Sequence, residues 1–116
     1  MTDPATVVSG IPAVDAYLED SYDKVIGMSS RFAAAICCGL PRIQSDLGVK
    51  GPVAEVGAFE GRFFIAMAKA LKDSERALGI DVFEWPNPQV IDSFEANCAR
   101  HGVPAEKRVT WKADSN

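Results

Sequence analysis

Three acidic residues, Glu55, Asp81 and Asp114, each close a short apolar stretch of the kind that forms a strand. Glu55 stands two positions before Gly57 in the segment Pro52-Val53-Ala54-Glu55-Val56-Gly57-Ala58-Phe59-Glu60-Gly61-Arg62-Phe63-Phe64. That segment reads as a strand, a glycine-punctuated turn and the start of a helix, the device by which an α/β sheet brings bare backbone against a nucleotide-like ligand. A dinucleotide fingerprint starting at Gly57 needs glycine at 59 and glycine or alanine at 62, where this chain has Phe59 and Arg62. A phosphate loop ending in Gly-Lys-Ser/Thr is also absent, because Arg62 and Phe63 follow Gly61. The turn is therefore ill suited to a pyrophosphate. Asp81 lies 24 positions after Gly57, near the distance at which a doubly wound sheet presents an acid at the end of its second strand. A carboxylate there can accept hydrogen bonds from both hydroxyls of a ribose.

Each feature taken singly has a plain structural explanation. A glycine turn can be only a tight connection, Asp81 an ordinary strand-end acid, and Asp114 a solvated surface residue. Three acids at three successive strand ends, in this order, favour a ligand site. Glu60 and Arg62 at the top of the first sheet helix are assigned no chemical role; Glu60 suits the positive helix end.

The pattern Glu55-x-Gly57-x-x-x-Gly61 resembles the first motif of the class I S-adenosylmethionine-dependent methyltransferases, departing from the fuller glycine pattern at Phe59. The resemblance runs from about Pro52 to the last residue and is nearest to bacterial small-molecule methyltransferase domains. It implies that Asp81 grips the ribose of S-adenosylmethionine and that Val82 and Phe83 flank the adenine. It also implies that Asp114, with Ser115 beside it, meets the adenine amino group. The implied cofactor-binding set is Glu55, Gly57, Ala58, Phe59, Gly61, Asp81, Val82, Phe83, Asp114 and Ser115, with Gly57 and Gly61 admitting the methionine part. No catalytic residue and no metal ligand is named. In related methyltransferases N-terminal helices lie over the cofactor cleft.

The elements that must position these residues are legible from periodicity and breakers. Residues 1–12 form a loose lead, and residues 13–50 a helical cap region. A first helix is expected from Ala13 to Ile26, with Val14, Leu18, Tyr22 and Val25 near helical spacing. Ser29 or Ser30 caps a second helix running to about Leu40, where Pro41 bends or breaks it before a further turn at 42–47. Met28-Ser29-Ser30-Arg31 could reach a bound ligand, although a helix cap explains it better. Residues 51–116 form the first half of a cofactor-binding domain. Its helix from Arg62 to Lys72 is apolar around most of its circumference and reads as buried. Strands are expected at Ala77–Phe83 and at Lys107–Ser115, the latter alternating polar and apolar residues. Between them a helix begins with Asn87 as N-cap and Pro88 in its first turn, and leaves at Gly102. Val90, Ile91, Phe94 and Cys98 share its inner face. Trp85 reads as a hydrophobic plug in preference to an adenine wall. The fold class is α/β: N-terminal helices, then β-α-β-α-β with a parallel, incomplete Rossmann-like sheet.

Composition excludes other classes. The chain has 116 residues, 47% hydrophobic and 24% charged, which is neither disordered nor membrane-like in balance. A formal charge of −4 disfavours a nucleic-acid footprint, and no basic stripe opposes that. No apolar run approaches the ~20 residues that span a bilayer, and the first residues lack the blocks of a signal peptide. No membrane association is expected, and the expected location is cytoplasmic. Cys37, Cys38 and Cys98 show no metal-ligand spacing and read as helix packing residues. His101, the single histidine, reads as a helix C-cap favoured by the dipole.

Related methyltransferases continue for about four more strands, so the chain is expected to be the N-terminal portion of a longer enzyme. The open outer edge of its first strand would invite pairing with a second copy. The expected function is transfer of a sulfonium methyl to a small-molecule acceptor. Two alternatives stand beside it: a module that binds cofactor without catalysis, and a nicotinamide-dependent oxidoreductase half-domain, to which Asp81 alone would be equally suited.

Overall fold

A computed structural model describes residues 8–114; Ser115 lies outside the described residues, as does most of the N-terminal lead. Within that span the order is α1 (Pro12–Asp20), a 3-10 turn at Tyr22–Lys24, α2 (Arg31–Asp46), β1 (Val53–Val56), α3 (Arg62–Ala70), β2 (Ala77–Asp81), α4 (Val90–Arg100), a 3-10 turn at Ala105–Lys107 and β3 (Arg108–Lys112). The three strands are parallel in the order β1-β2-β3, with Val53, Ala77 and Arg108 in one row and Val56, Ile80 and Trp111 in another. This is an α/β architecture consistent with a Rossmann-like fold.

Gly79 in the central strand shows how the layers meet. A Cβ built there would lie 3.1 Å from the Phe94 ring, 3.4 Å from Ala58 and 3.4 Å from the Phe64 ring. Helices α3 and α4 therefore cover the same face of the sheet and need a bare backbone beneath them. Phe64 and Phe83 both pack on Phe94, with ring centroids at 4.9 and 5.5 Å, and all three are fully buried. The inner stripe of α4 is Val90, Phe94 and Cys98, with Ile91 partly buried beside it. Cys38 and Cys98 are buried, as packing residues should be, and burial pushes both thiols up to about 12. Helices α1 and α2 pack in turn on α3.

Several boundaries differ from the sequence expectation. The first helix ends at Asp20, not Ile26, with the Ser21 N–H closing on the Tyr17 carbonyl. Tyr22 and Val25 are still buried; the Tyr22 carbonyl closes the 3-10 turn by accepting the Val25 N–H at 3.3 Å, and the carbonyls of Tyr22 and Gly27 also accept from the Arg62 guanidinium. In α2, Ser30 is the cap, its hydroxyl accepting the Ala33 N–H at 3.1 Å. Pro41 lies inside that helix and does not end it. An interior proline costs about 3 kcal/mol. Packing on α3 and a Lys72 Nζ–Ser45 Oγ bond at 3.0 Å hold the helix together on either side of it. Helix α4 starts two residues after Pro88 with Gln89 at its N-cap position; Asn87 still closes the turn that leads into it, its side-chain oxygen accepting the Gln89 N–H at 3.0 Å and its carbonyl the Val90 N–H at 3.2 Å. Strand β2 stops at Asp81, and Lys107 belongs to the 3-10 turn that precedes β3.

Candidate functional site

The turn after β1 is strongly bent. Gly57, Phe59 and Gly61 have φ of 85°, 51° and 95°. A left-handed backbone is costly for a phenylalanine, and it persists here because the turn is tied down on every side. Gly57 N and Ala58 N both donate to the Ile80 carbonyl, at 2.7 and 3.3 Å, and Gly61 N donates to the Ala58 carbonyl at 2.9 Å. Phe59 N donates to Asp81 Oδ2 at 2.9 Å. Four of the turn's amides thus serve the fold, and none of those four is aimed outward as a phosphate cradle requires.

The two glycines do different work. A Cβ on Gly57 would meet no atom within 4 Å, so bare backbone faces open space there. Gly61 is buried, and a Cβ on it would press the Phe94 ring at 3.2 Å. Gly57 leaves room for a ligand to approach the backbone, while the missing side chain at Gly61 lets α3 sit against α4. Ala58 is buried beneath Gly79 and contributes packing.

Asp81 closes β2 and joins two loops. Its Oδ2 takes the Phe59 N–H and its Oδ1 takes the Phe83 N–H, both at 2.9 Å, so the carboxylate is fixed in orientation with lone pairs still to offer. Phe83 also has positive φ, 53°, and its ring lies in the core against Phe94. Only its backbone belongs to the site; its side chain gives a ligand no wall. Val82 is exposed, and with Val56, Gly57, Asp81, Ala113 and Asp114 it lines an open cleft of about 410 Å³ at the carboxyl ends of the strands. That is where ligands bind in open α/β sheets. Asp114 is exposed at its rim, just beyond Ala113, whose N–H bonds the Asp81 carbonyl at 2.9 Å.

Glu55 faces the other side of the turn. It lines a second cavity of about 140 Å³ with Gly57, Phe59, Phe63 and the residues 26–29 that precede α2. Its Oε1 is buried without a hydrogen-bond partner. Burial first, and the Asp81 charge second, push its carboxyl up to about 7. Gly57 borders both spaces, so one extended ligand could wrap around it from Asp81 to Glu55. A third cavity, of about 260 Å³ near Arg42, Lys50, Lys72 and Glu75, touches none of these acids.

Trp85 is 66% exposed and tilts over Phe59 with ring centroids 5.7 Å apart. It is no plug: the loop after Asp81 leads it outward to stack on the edge of the turn. His101 is the C-cap residue of α4, as expected, but burial first and then Arg100, Lys69 and Lys24 lower its pKa. Its ring packs edge-on to Tyr17 at 5.5 Å, and the lowered pKa weakens its role as a cation on the helix dipole.

Nothing local in the sequence marks Arg62 for a role, yet it is the most connected side chain near the turn. Its guanidinium donates to the carbonyls of Tyr22, Gly27 and Ser29 and to Asp23, and it lies 4.8 Å over the Tyr22 ring. Its partners are 33–40 residues distant in sequence, so no local pattern announces them. Among the described residues no group of three or more His, Cys, Asp or Glu could hold a metal ion, and no helix is long and apolar enough to cross a membrane. Comparison with models of known protein families and with curated proteins finds no match to this chain.

Proposed function

We propose that this chain carries the S-adenosylmethionine-binding half of a cytoplasmic methyltransferase acting on a small-molecule acceptor. The observation that carries the reading is the pairing of Asp81 with Gly57. A carboxylate oriented by two backbone N–H groups stands beside a stretch of bare backbone with open space before it. That combination suits a ribose lying along the turn. The charge around it narrows the ligand further. Glu55, Asp81 and Asp114 border the two spaces, and four amides of the turn, those of Gly57, Ala58, Phe59 and Gly61, are engaged within the fold. A phosphate-bearing dinucleotide is disfavoured on both counts. An adenosine compound carrying cationic groups and no phosphate is favoured.

S-adenosylmethionine has that chemistry, and when bound it supplies an electrophilic methyl group. In this reading Asp81 holds the ribose hydroxyls, Val82 and Asp114 border the adenine, and Glu55 faces the amino-acid end. The carboxyl of Glu55 then gives up its proton and pairs its orphaned oxygen with the ligand's ammonium. The acceptor is held near the methyl by parts of the site for which no residue is assigned here.

Calorimetric titration with S-adenosylhomocysteine tests this, with NAD titrated in parallel. Saturable binding of the first, abolished in Asp81→Ala of unchanged circular dichroism, is the expected result. Preferential binding of NAD, weakened by the same substitution, would favour the oxidoreductase alternative. Binding of neither by a folded chain would remove the cofactor assignment.

A further inference from the structure

The cavity in front of Glu55 has one wall with no secondary structure of its own. Residues 26–29 run irregularly between the 3-10 turn and α2, and they carry Ile26 and Met28, which are 67% and 89% exposed. Such a segment is expected to be mobile unless something fixes it. Here the Arg62 side chain makes most of the ties that fix it. Arg62 is the first residue of α3, directly after the Gly61 turn. Its Nε donates to the Tyr22 carbonyl at 3.1 Å, and its Nη1 donates to the carbonyls of Gly27 at 2.9 Å and Ser29 at 3.0 Å. Its Nη2 pairs with Asp23 Oδ1 at 3.1 Å.

The segment is shaped to accept this grip. Gly27 lies so close that a Cβ on it would stand 2.8 Å from Arg62 Cβ and Cδ. Tyr22 OH and Ser29 Oγ share a bond of 2.6 Å, closing the loop on itself, while Tyr17 OH donates to the Arg62 carbonyl at 2.8 Å. Arg62 also borders the cavity that Glu55 lines, but its donors point into the loop; burial and Asp81, not Arg62, set the state of that carboxyl.

We infer that Arg62 is a positioning residue for ligand binding: it holds residues 26–29 against the glycine turn as the wall of the Glu55 cavity, and so sets affinity for the part of a ligand lying there. The inference deepens the proposed S-adenosylmethionine site and rests on it. In that site adenosine occupies the Asp81 cleft and the amino-acid end occupies the walled cavity. Lysine cannot replace the arginine, because one ammonium lacks the planar fork that reaches three carbonyls and a carboxylate together.

The test is titration of wild type, Arg62→Lys and Gly27→Ala with S-adenosylhomocysteine and, separately, with adenosine. Hydrogen exchange of residues 25–30 is followed without ligand. Both variants are expected to exchange faster in that segment. They should lose about tenfold in affinity for S-adenosylhomocysteine, the size of one charge-assisted bond, and keep wild-type affinity for adenosine. A merely structural role would weaken both ligands together, and that outcome overturns the inference. So does a loosened segment with unchanged S-adenosylhomocysteine affinity, or exchange that stays slow. Gly27→Ala leaves the arginine residue unchanged but wedges the segment away from it, and serves if Arg62→Lys does not fold. If wild type binds neither ligand, the site reading itself fails, and the exchange data still decide whether Arg62 fixes the segment.

Discussion

On one face of the sheet, Val53, Ala77 and Gly79 lie beneath α3 and α4, and the rings of Phe64, Phe83 and Phe94 fill the space between. On the other face, Ala54, Leu78 and Val109 form one row and Val56, Ile80 and Trp111 the next. No element of the described residues covers this second face: Val56 stays 64% exposed and Trp111 59%. Strands this apolar on both sides are the mark of a parallel sheet buried on both faces, so the sequence is written for two layers of cover where the described residues supply one. Asp81 and Asp114 escape this asymmetry because they sit at or beyond the strand ends, whereas Glu55 lies within β1 on the covered face, beside Phe63 of α3. The uncovered face and the outer edge of β1, which has no strand beside it among the described residues, leave room for a second copy of the chain.

The contrast can be broken most forcefully from the covered side. Phe94→Ala removes the ring shared by Gly61, Gly79, Phe64 and Phe83, and should cost about 3–5 kcal/mol in urea unfolding. A loss below about 1 kcal/mol would mean that the two-helix layer does not pack as described.

Glu55 gives the next largest effect, and its sign is fixed by burial. The folded chain holds the Glu55 proton up to about 7, whereas the unfolded carboxyl titrates near 4.5. The folded state therefore binds more protons across that interval, and stability falls as pH rises from 4.5 to about 7. Glu55→Gln should flatten that fall and leave the unliganded chain more stable at pH 8 by about 2 kcal/mol, discounted for residual solvent. Thermal melts at pH 5 and pH 8 measure it, and equal pH slopes in both proteins would refute the assignment.

A smaller loss tests the layer outside α3. Ser30→Ala removes the cap on α2 and should cost about 1 kcal/mol, again by urea unfolding.

On the bare face, Val56→Lys and Trp111→Lys should change stability by less than about 0.5 kcal/mol. Light scattering at rising concentration should show less self-association in both. A large loss of stability from either would mean that this face is covered after all.

Glu55, Gly57, Asp81 and Asp114 were legible in the sequence because residue type and spacing are local properties. So were the parallel β-α-β-α-β order and the inner stripe of α4, which follow from periodicity. Other features were decided only by tertiary contact. Pro41 stays inside a helix because packing on α3 outweighs a local penalty. The first helix stops at Asp20, and the irregular segment after it is held by Arg62, forty residues on from Tyr22. Phe83 turns into the core while its neighbours line a cleft, and Trp85 lies on the surface instead of within it. Gly57 and Gly61 look alike in one dimension, yet one opens to space and the other presses on Phe94, since only the folded chain brings α4 to one of them. Short-range stereochemistry set the elements and the types of residue at their ends; long-range packing and hydrogen bonding set which of those residues line the open cavities.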